Sequence, residues 1–451
     1  MMKRIFCGAA LLVLAGTFST LQAQEEVFQR GIEFGIGGRA LGMGGAYLGV
    51  SDDYSAAYWN PAALTQIRRI EGFATLSHAQ RKDDITYGTY GAPDKASFTR
   101  FNSLGLAYPI PTYRGSLVFS LGYHRVRPYD SNFSFSWFNG TPLDSLSQRW
   151  SELEEGSLNN WTFAMGTEVA PNLSLGLALN AWSGQNDYQF SFVEKDVLDL
   201  FYLNEFRHDD NLLSEYSGWN FKLAAMYHPS SLLRLGVTLG TPTTFKVKDS
   251  WQVSEETIEE LDNGELDRTT YNDNGEFTYK IRSPFSLSAG GAVNFANMLV
   301  SGSAELNDWS QIRYTTEPPI EGLSKSEAND ELVRNYRETL RLRLGAEFTI
   351  PLIDLQVRAG AFRDPSPLAN MPSDADREFY TAGLGIFLDK QVRLDLAVVT
   401  GTWREYKDPL KDFGTNEDYD NDGKIDDDRD VIPVSEKIRL NQAYVTLAFR
   451  F

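Results

Sequence analysis

Near its C-terminal end the chain spaces carboxylates as a cation-binding loop does. Asp418, Asp420, Asp422 and Asp426 fill the first, third, fifth and ninth places of such a frame, with Gly423 at the sixth. In a calcium loop those places supply oxygen ligands and the glycine allows the sharp turn between them. The twelfth place holds Arg429 instead of glutamate, flanked by Asp428 and Asp430. The expectation is either a structural calcium ion or a solvated acidic tip. Cations with a different use occur upstream. Arg341, Arg343, Arg358 and Arg393 sit in alternating segments and could pair with a ligand carboxylate, although Glu347 and Asp395 offer competing partners within the chain.

Little else supports catalysis. The four histidines, His78, His124, His208 and His228, are scattered, and no Gly-x-Ser-x-Gly elbow occurs. Seven glycines between positions 35 and 49 lack the preceding strand and βαβ context of a dinucleotide loop. The only cysteine, Cys7, lies in an N-terminal leader. No enzyme and no cofactor is expected, calcium apart. With 42 Lys+Arg against 61 Asp+Glu, the net charge of −19 excludes a nucleic-acid partner, since phosphates would not be neutralised.

The elements that position these residues begin with export. Lys3 and Arg4 precede an apolar run over 5–18 and a small residue at Ala23, the pattern of a secretory signal peptide over 1–23. Its removal takes the net charge to −21 and leaves no thiol. No later run reaches the length of a membrane-spanning helix, so an exported chain must be soluble or a closed barrel. Periodicity favours the barrel. Leu340, Leu342, Leu344, Ala346, Phe348 and Ile350 alternate with Arg341, Arg343, Gly345, Glu347 and Thr349. The same period of two runs through 173–180, 392–399 and 444–451.

Fourteen strands are expected, at about 70–91, 98–110, 115–139, 157–170, 172–195, 214–229, 231–253, 276–294, 297–315, 334–350, 354–364, 376–388, 391–406 and 436–451. Short turns at 111–114, 170–171, 229–230, 295–296, 351–353 and 389–390 alternate with long acidic loops at 140–156, 255–275 and 406–435. That asymmetry matches periplasmic turns and extracellular loops. The 13% aromatic content, with 28 Phe, 9 Trp and 21 Tyr, suits the same architecture, as does an aromatic residue, Phe451, in the last strand. The fold class is all-β: a transmembrane antiparallel β-barrel in the outer membrane of a Gram-negative-type bacterium, surrounded by its lipid and inserted by the barrel-assembly machinery. A monomer is expected.

Two segments carry a family resemblance. Gly38-Arg39-Ala40-Leu41-Gly42-Met43-Gly44-Gly45-Ala46, and the later Ser51-Asp52-Asp53-Tyr54-Ser55-Ala56-Ala57-Tyr58-Trp59-Asn60-Pro61-Ala62-Ala63-Leu64, resemble the N-terminus of FadL-type outer-membrane transporters. Later matches are Asn307-Asp308-Trp309-Ser310-Gln311, Gly360-Ala361-Phe362-Arg363-Asp364-Pro365-Ser366-Pro367 and Asp374-Ala375-Asp376-Arg377-Glu378-Phe379. The resemblance implies a hatch inside the barrel over 24–69, a wall over 70–451, and passive uptake of long-chain fatty acids or other hydrophobic molecules. The N-terminal signature is shared with PorV-like barrels that assist protein secretion, which is the alternative reading.

The family's features have candidate residues here. Asn60, Pro61 and Ala62 would form the hatch turn, because proline biases Asn60 away from helix and frees its side chain to cap backbone. Arg127, Pro128 and Tyr129 fall inside the third strand, where proline donates no ladder hydrogen bond. They are the candidate lateral gate. Leu198, Phe201, Leu203 and Phe206, with Val197, Leu200 and Tyr202, make the third extracellular loop unusually apolar, a candidate capture groove. Arg341 and Arg343 are candidate ligand contacts in the lumen.

Overall fold

Side-chain alternation builds a wall whose two faces differ in kind. In the computed structural model, which describes residues 32–88, 90–138, 146–261, 263–320, 322–407 and 434–451, Leu340, Leu342, Leu344 and Phe348 are 49–67% exposed. Their neighbours Arg341, Arg343 and Glu347 are each 6% exposed. The apolar face therefore looks outward and the charged face inward, as a bilayer around a barrel demands.

The strands in chain order are β1 (Glu71–Tyr87), β2 (Tyr90–Ile110), β3 (Leu117–Pro128), β4 (Ser131–Phe138), β5 (Leu146–Ala170) and β6 (Leu173–Asp196). Next come β7 (Leu203–Tyr227), β8 (Leu233–Gly240), β9 (Thr244–Glu260), β10 (Leu266–Arg282), β11 (Ser286–Phe295) and β12 (Met298–Asp308). The last are β13 (Arg313–Tyr314), β14 (Glu338–Ile350), β15 (Leu355–Asp364), β16 (Arg377–Phe387), β17 (Val392–Lys407) and β18 (Val434–Arg450). β3 with β4, β8 with β9, and β10 with β11 are single crossings broken once, and the short β13 extends the ninth. Eighteen strands thus make fourteen crossings of one antiparallel sheet. It closes where β1 pairs β18, from Glu71 opposite Arg450 to Thr86 opposite Ser435. Closure leaves no edge of unpaired backbone in the membrane.

The expected short turns are present, but two expected long loops are not loops. Residues 146–156 belong to β5, 255–260 to β9 and 266–275 to β10. β5 and β7 have 25 residues each, well beyond the roughly 9–11 that a tilted strand needs to cross a bilayer. These extensions stand in water, where no lipid-facing side has to be apolar. The alternation that marks a strand inside the membrane therefore fades in them.

Ahead of β1, residues 32–67 pack inside the wall as a short helix Gly38–Gly42, a second Ala56–Trp59 and a 3-10 turn Pro61–Gln66. Wall glycines make room for this segment. A Cβ on Gly176 of β6 would lie 2.1 Å from the Ala62 nitrogen, and one on Gly345 of β14 would lie 2.2 Å from the Met43 carbonyl oxygen. Only a side chain that ends at hydrogen lets two backbones approach so closely.

Candidate functional site

Asn60 lies extended before Pro61, at φ −153° and ψ 95°, as the proline dictates. Its Oδ1 accepts from the Ala62 backbone N–H at 3.1 Å, and its Nδ2 donates to the Leu48 carbonyl at 2.9 Å. One amide thus caps the 3-10 turn and ties it to an earlier part of the segment. Ala62 is packed against Gly176. The expected turn forms, with Pro61 at its first position.

Charge fastens the segment to the wall. Arg39 makes a two-pronged contact with Glu347 of β14, at 2.8 and 2.7 Å, and also bonds Asp52. Glu347 accepts in turn from Arg358 of β15 at 2.7 Å. Arg358 reaches Asp395 of β17 at 2.7 Å, and Arg393 lies 3.1 Å from the same carboxylate. Burial opposes ionisation of Asp52, but Arg39 and Arg234 outweigh it and hold the carboxyl below its ordinary value. Of the four arginines with ligand potential, Arg358 and Arg393 are therefore engaged by wall carboxylates. Arg341 bonds Asp364 and Glu305, while Arg343 bonds Glu305 and lies over the Trp59 ring at 5.5 Å.

The third crossing is interrupted, though not as its proline alone would require. β3 ends at Pro128 and the crossing resumes at Ser131. On the β5 side Pro128 keeps a partner, Ser157, and β4 carries on from Ser131 opposite Glu154. On the β2 side the ladder has already stopped at Ser103 opposite His124. Among the described residues, none from 90 to 102 pairs with β3 or β4. Two bulges frame this gap. Asn102 is the extra residue between Ser103 and Phe101 on β2, and Val126 the extra residue between Arg125 and Arg127 on β3. Asn102 Oδ1, Ser103 Oγ and both His124 ring nitrogens are buried there without a hydrogen-bond partner among the described residues. Side chains bridge the break instead of backbone. Arg100 on β2 donates to Asp130 at 2.9 Å and to Glu155 at 3.0 Å, and Arg125 donates to the other Asp130 oxygen at 2.8 Å. The sequence flagged Arg127, Pro128 and Tyr129. It gave no sign of Asn102, whose role depends on register between two strands.

Two chambers lie inside, one on either side of Val126. The first, of about 150 Å³, is backed by the gap: Phe98, Arg100, Asn102 and Arg125 on one side, Phe34, Trp403 and Tyr444 across it. Tyr129 borders it too, and is otherwise buried in a cluster with Tyr216, Phe245 and Leu158. The second, of about 170 Å³, is lined by Trp59, Trp182, Lys222, Arg341, Arg343 and a row of asparagines, with Arg127 at its edge. The N-terminal segment separates them, since Ile32 and Phe34 face the first and Glu33 the second.

The expected apolar third loop contracts to the 197–202 connection, which Asp196 ties by accepting from the Leu198 and Phe201 N–H groups at 3.2 and 2.7 Å. Leu203 and Phe206 are not loop residues but open β7. Leu198 is exposed beside the equally exposed Val197, and Phe206 lies tilted against Phe192 with ring centres 6.4 Å apart. The large extracellular aromatic cluster lies elsewhere: Phe133, Phe135, Trp137, Trp150, Tyr188 and Phe190, with Ile85 and Val434, fill the interior between extended strands. Asp418, Asp420, Asp422 and Asp426, like the leader 1–23, fall outside the described residues.

A family model for the outer membrane protein transport protein (OMPP1/FadL/TodX) matches residues 31–407. The chain belongs to this family. As an OMPP1/FadL/TodX barrel it is an outer-membrane transport protein and not an enzyme. Three solved structures are similar to it. They are the P. putida toluene transporter TodX (TM-score 0.60, 14% identity, 93% of this chain and 99% of that one), a Pseudomonas aeruginosa FadL homologue (0.59, 14%, 93% and 99%) and the CymD monoaromatic hydrocarbon channel (0.53, 16%, 92% and 98%). At such identities the likeness is one of fold. No curated protein sequence matches the chain.

Proposed function

We propose that this OMPP1/FadL/TodX barrel takes up hydrophobic small molecules, long-chain fatty acids or monoaromatic hydrocarbons, passively and with a sideways exit through its wall. The observation that carries the reading is the missing β2–β3 ladder above Ser103 and His124, directly backed by the first chamber with Phe34, Phe98, Trp403 and Tyr444 in its lining. A straight axial route meets residues 32–67, which act in this reading as a hatch held by Asn60, Pro61 and Ala62. An apolar ligand gains by leaving towards lipid, because that path never exposes its surface to periplasmic water. Arg100, Asp130 and Arg125 would part to let it through, and side-chain bonds exchange partners more readily than a continuous backbone ladder. The named transporters of toluene and monoaromatic hydrocarbons favour the same ligand chemistry.

Closing the break tests this. Deleting Asn102 removes the β2 bulge, and Pro128→Val restores a backbone donor on β3. The combined variant, produced in a deletion strain, should take up radiolabelled palmitate or toluene several-fold more slowly than the wild type while remaining folded in the outer membrane. Uptake at the wild-type rate would remove the sideways exit. Equal uptake by the deletion strain itself, together with loss of an exported protein, would replace the transport reading with that of a secretion-assisting barrel.

A further inference from the structure

Four cations line the second chamber against two carboxylates, and one of the four has no ion-pair partner among the described residues. Arg127, Lys222, Arg341 and Arg343 line it, against Glu33 and Glu305. Arg127 lies 3.7 Å from Glu33, and Arg341 and Arg343 share Glu305, with Asp364 behind Arg341. Lys222 is left over. Its ammonium donates to the Tyr58 carbonyl at 2.7 Å and sits 4.9 Å from the Tyr58 ring, and among the described residues no carboxylate lies within ion-pair distance. An ammonium has three donors, so two remain for whatever occupies the chamber. The first chamber shows no such surplus: Arg81, Arg100, Arg125 and Arg377 face Asp130, Glu152, Glu154 and Glu405.

The rest of the lining fixes the kind of anion. Asn180 donates to Asn220 at 3.0 Å, as Trp182 does at 3.1 Å, and Asn220 donates onward to the Thr241 carbonyl at 3.1 Å. This relay holds a row of amides rigid along the wall, where they can bond ligand oxygens. Trp59, Trp182, Phe245 and Trp309 supply flat apolar faces, and the aliphatic side chains among the described lining are Leu48, Val126, Leu158 and Pro284. Rings outnumber aliphatic side chains in this lining, so it offers flat faces more than a slot for an acyl chain. A flat ring bearing oxygen would find both its face and its edges matched.

We propose that the second chamber binds a compact, oxygenated aromatic carboxylate, with Lys222 as its counter-ion. This rests on the uptake reading above and sharpens it: the barrel would handle ring acids as well as neutral hydrocarbons. A half-buried ammonium with no carboxylate at ion-pair distance among the described residues gains a charge-assisted hydrogen bond from an incoming carboxylate, where a neutral analogue offers only an ordinary one.

Calorimetry on the full-length barrel in detergent tests it, with 4-hydroxybenzoate against its neutral counterpart 4-hydroxybenzamide. The acid should bind roughly ten- to a hundredfold more tightly than the amide. In Lys222→Met that preference should collapse towards one, and in Lys222→Arg, which keeps the charge, most of it should persist. Resistance to unfolding in SDS establishes that each variant is folded. Equal binding of acid and amide to the wild type, or an unchanged preference in Lys222→Met, would overturn the proposal and leave Lys222 solvated by water. Because the titration reads binding without transport, its failure is separable from failure of the uptake assay with neutral toluene.

Discussion

Asn60 concentrates in one side chain what keeps the N-terminal segment in its shape. Its carbonyl oxygen caps the turn at Ala62 and its amide ties that turn to Leu48, twelve residues earlier. Asn60→Ala removes the cap and leaves the buried Leu48 carbonyl without that donor, at a cost of about 1–3 kcal/mol. The wall itself is untouched, so the loss should appear locally. Limited proteolysis in detergent should cut residues 32–67 faster in Asn60→Ala, while the strand content measured by circular dichroism stays constant. Asn60→Asp should fall between, since it keeps the cap but not the amide donor. This site was legible in the sequence because its chemistry spans two residues. Arg39 was not, although it lies in an equally distinctive segment. Its partner Glu347 is 308 positions away, and only closure of the barrel brings the two together.

At the level of the strand, legibility followed the solvent. β14 was readable because lipid selects one of its faces and the charged interior the other. The upper parts of β5, β7, β9 and β10 meet water outside the membrane, so polar composition there looked like loop. The break in the third crossing was half legible. Pro128 marked the region, but the pairing ends four residues earlier, at His124, next to a bulge on the neighbouring strand at Asn102. Sidedness itself can be tested on β14. Leu344 is 67% exposed and lies near the middle of the strand, so Leu344→Arg places a charge against lipid. The expected penalty is about 2–4 kcal/mol in reversible urea unfolding from lipid vesicles. On a soluble barrel of the opposite sidedness the same residue would be buried in the core, and no vesicle would be needed for folding at all.

For the molecule as a whole, a fourteen-crossing barrel would be wide enough to leak unless its interior were occupied. Two kinds of contact occupy it. Residues 32–67 lie against the wall through close glycine approaches such as Gly176 to Ala62 and Gly345 to Met43, and through the Arg39–Glu347 pair. Nearer the extracellular end, the aromatic cluster around Phe133 and Trp150 fills one side. A second cluster, around Tyr279 and Tyr314, fills the other, covered by the helix Lys325–Asn335 through Ala328 and Leu332. The N-terminal segment is also the partition between the two chambers, because consecutive residues Ile32, Glu33 and Phe34 face opposite sides of it. Removing it should therefore merge the chambers and open a path towards the short turns. Single-channel recordings in planar bilayers should find the intact chain nearly silent and a variant lacking residues 32–67 conducting. Both must be refolded from denaturant, so that residual leader does not matter. A deletion variant that stays silent would place the seal in the aromatic clusters and the loop helix. The segment would then be a wall between chambers and not a stopper, and sideways release through the β2–β3 break would no longer depend on its moving.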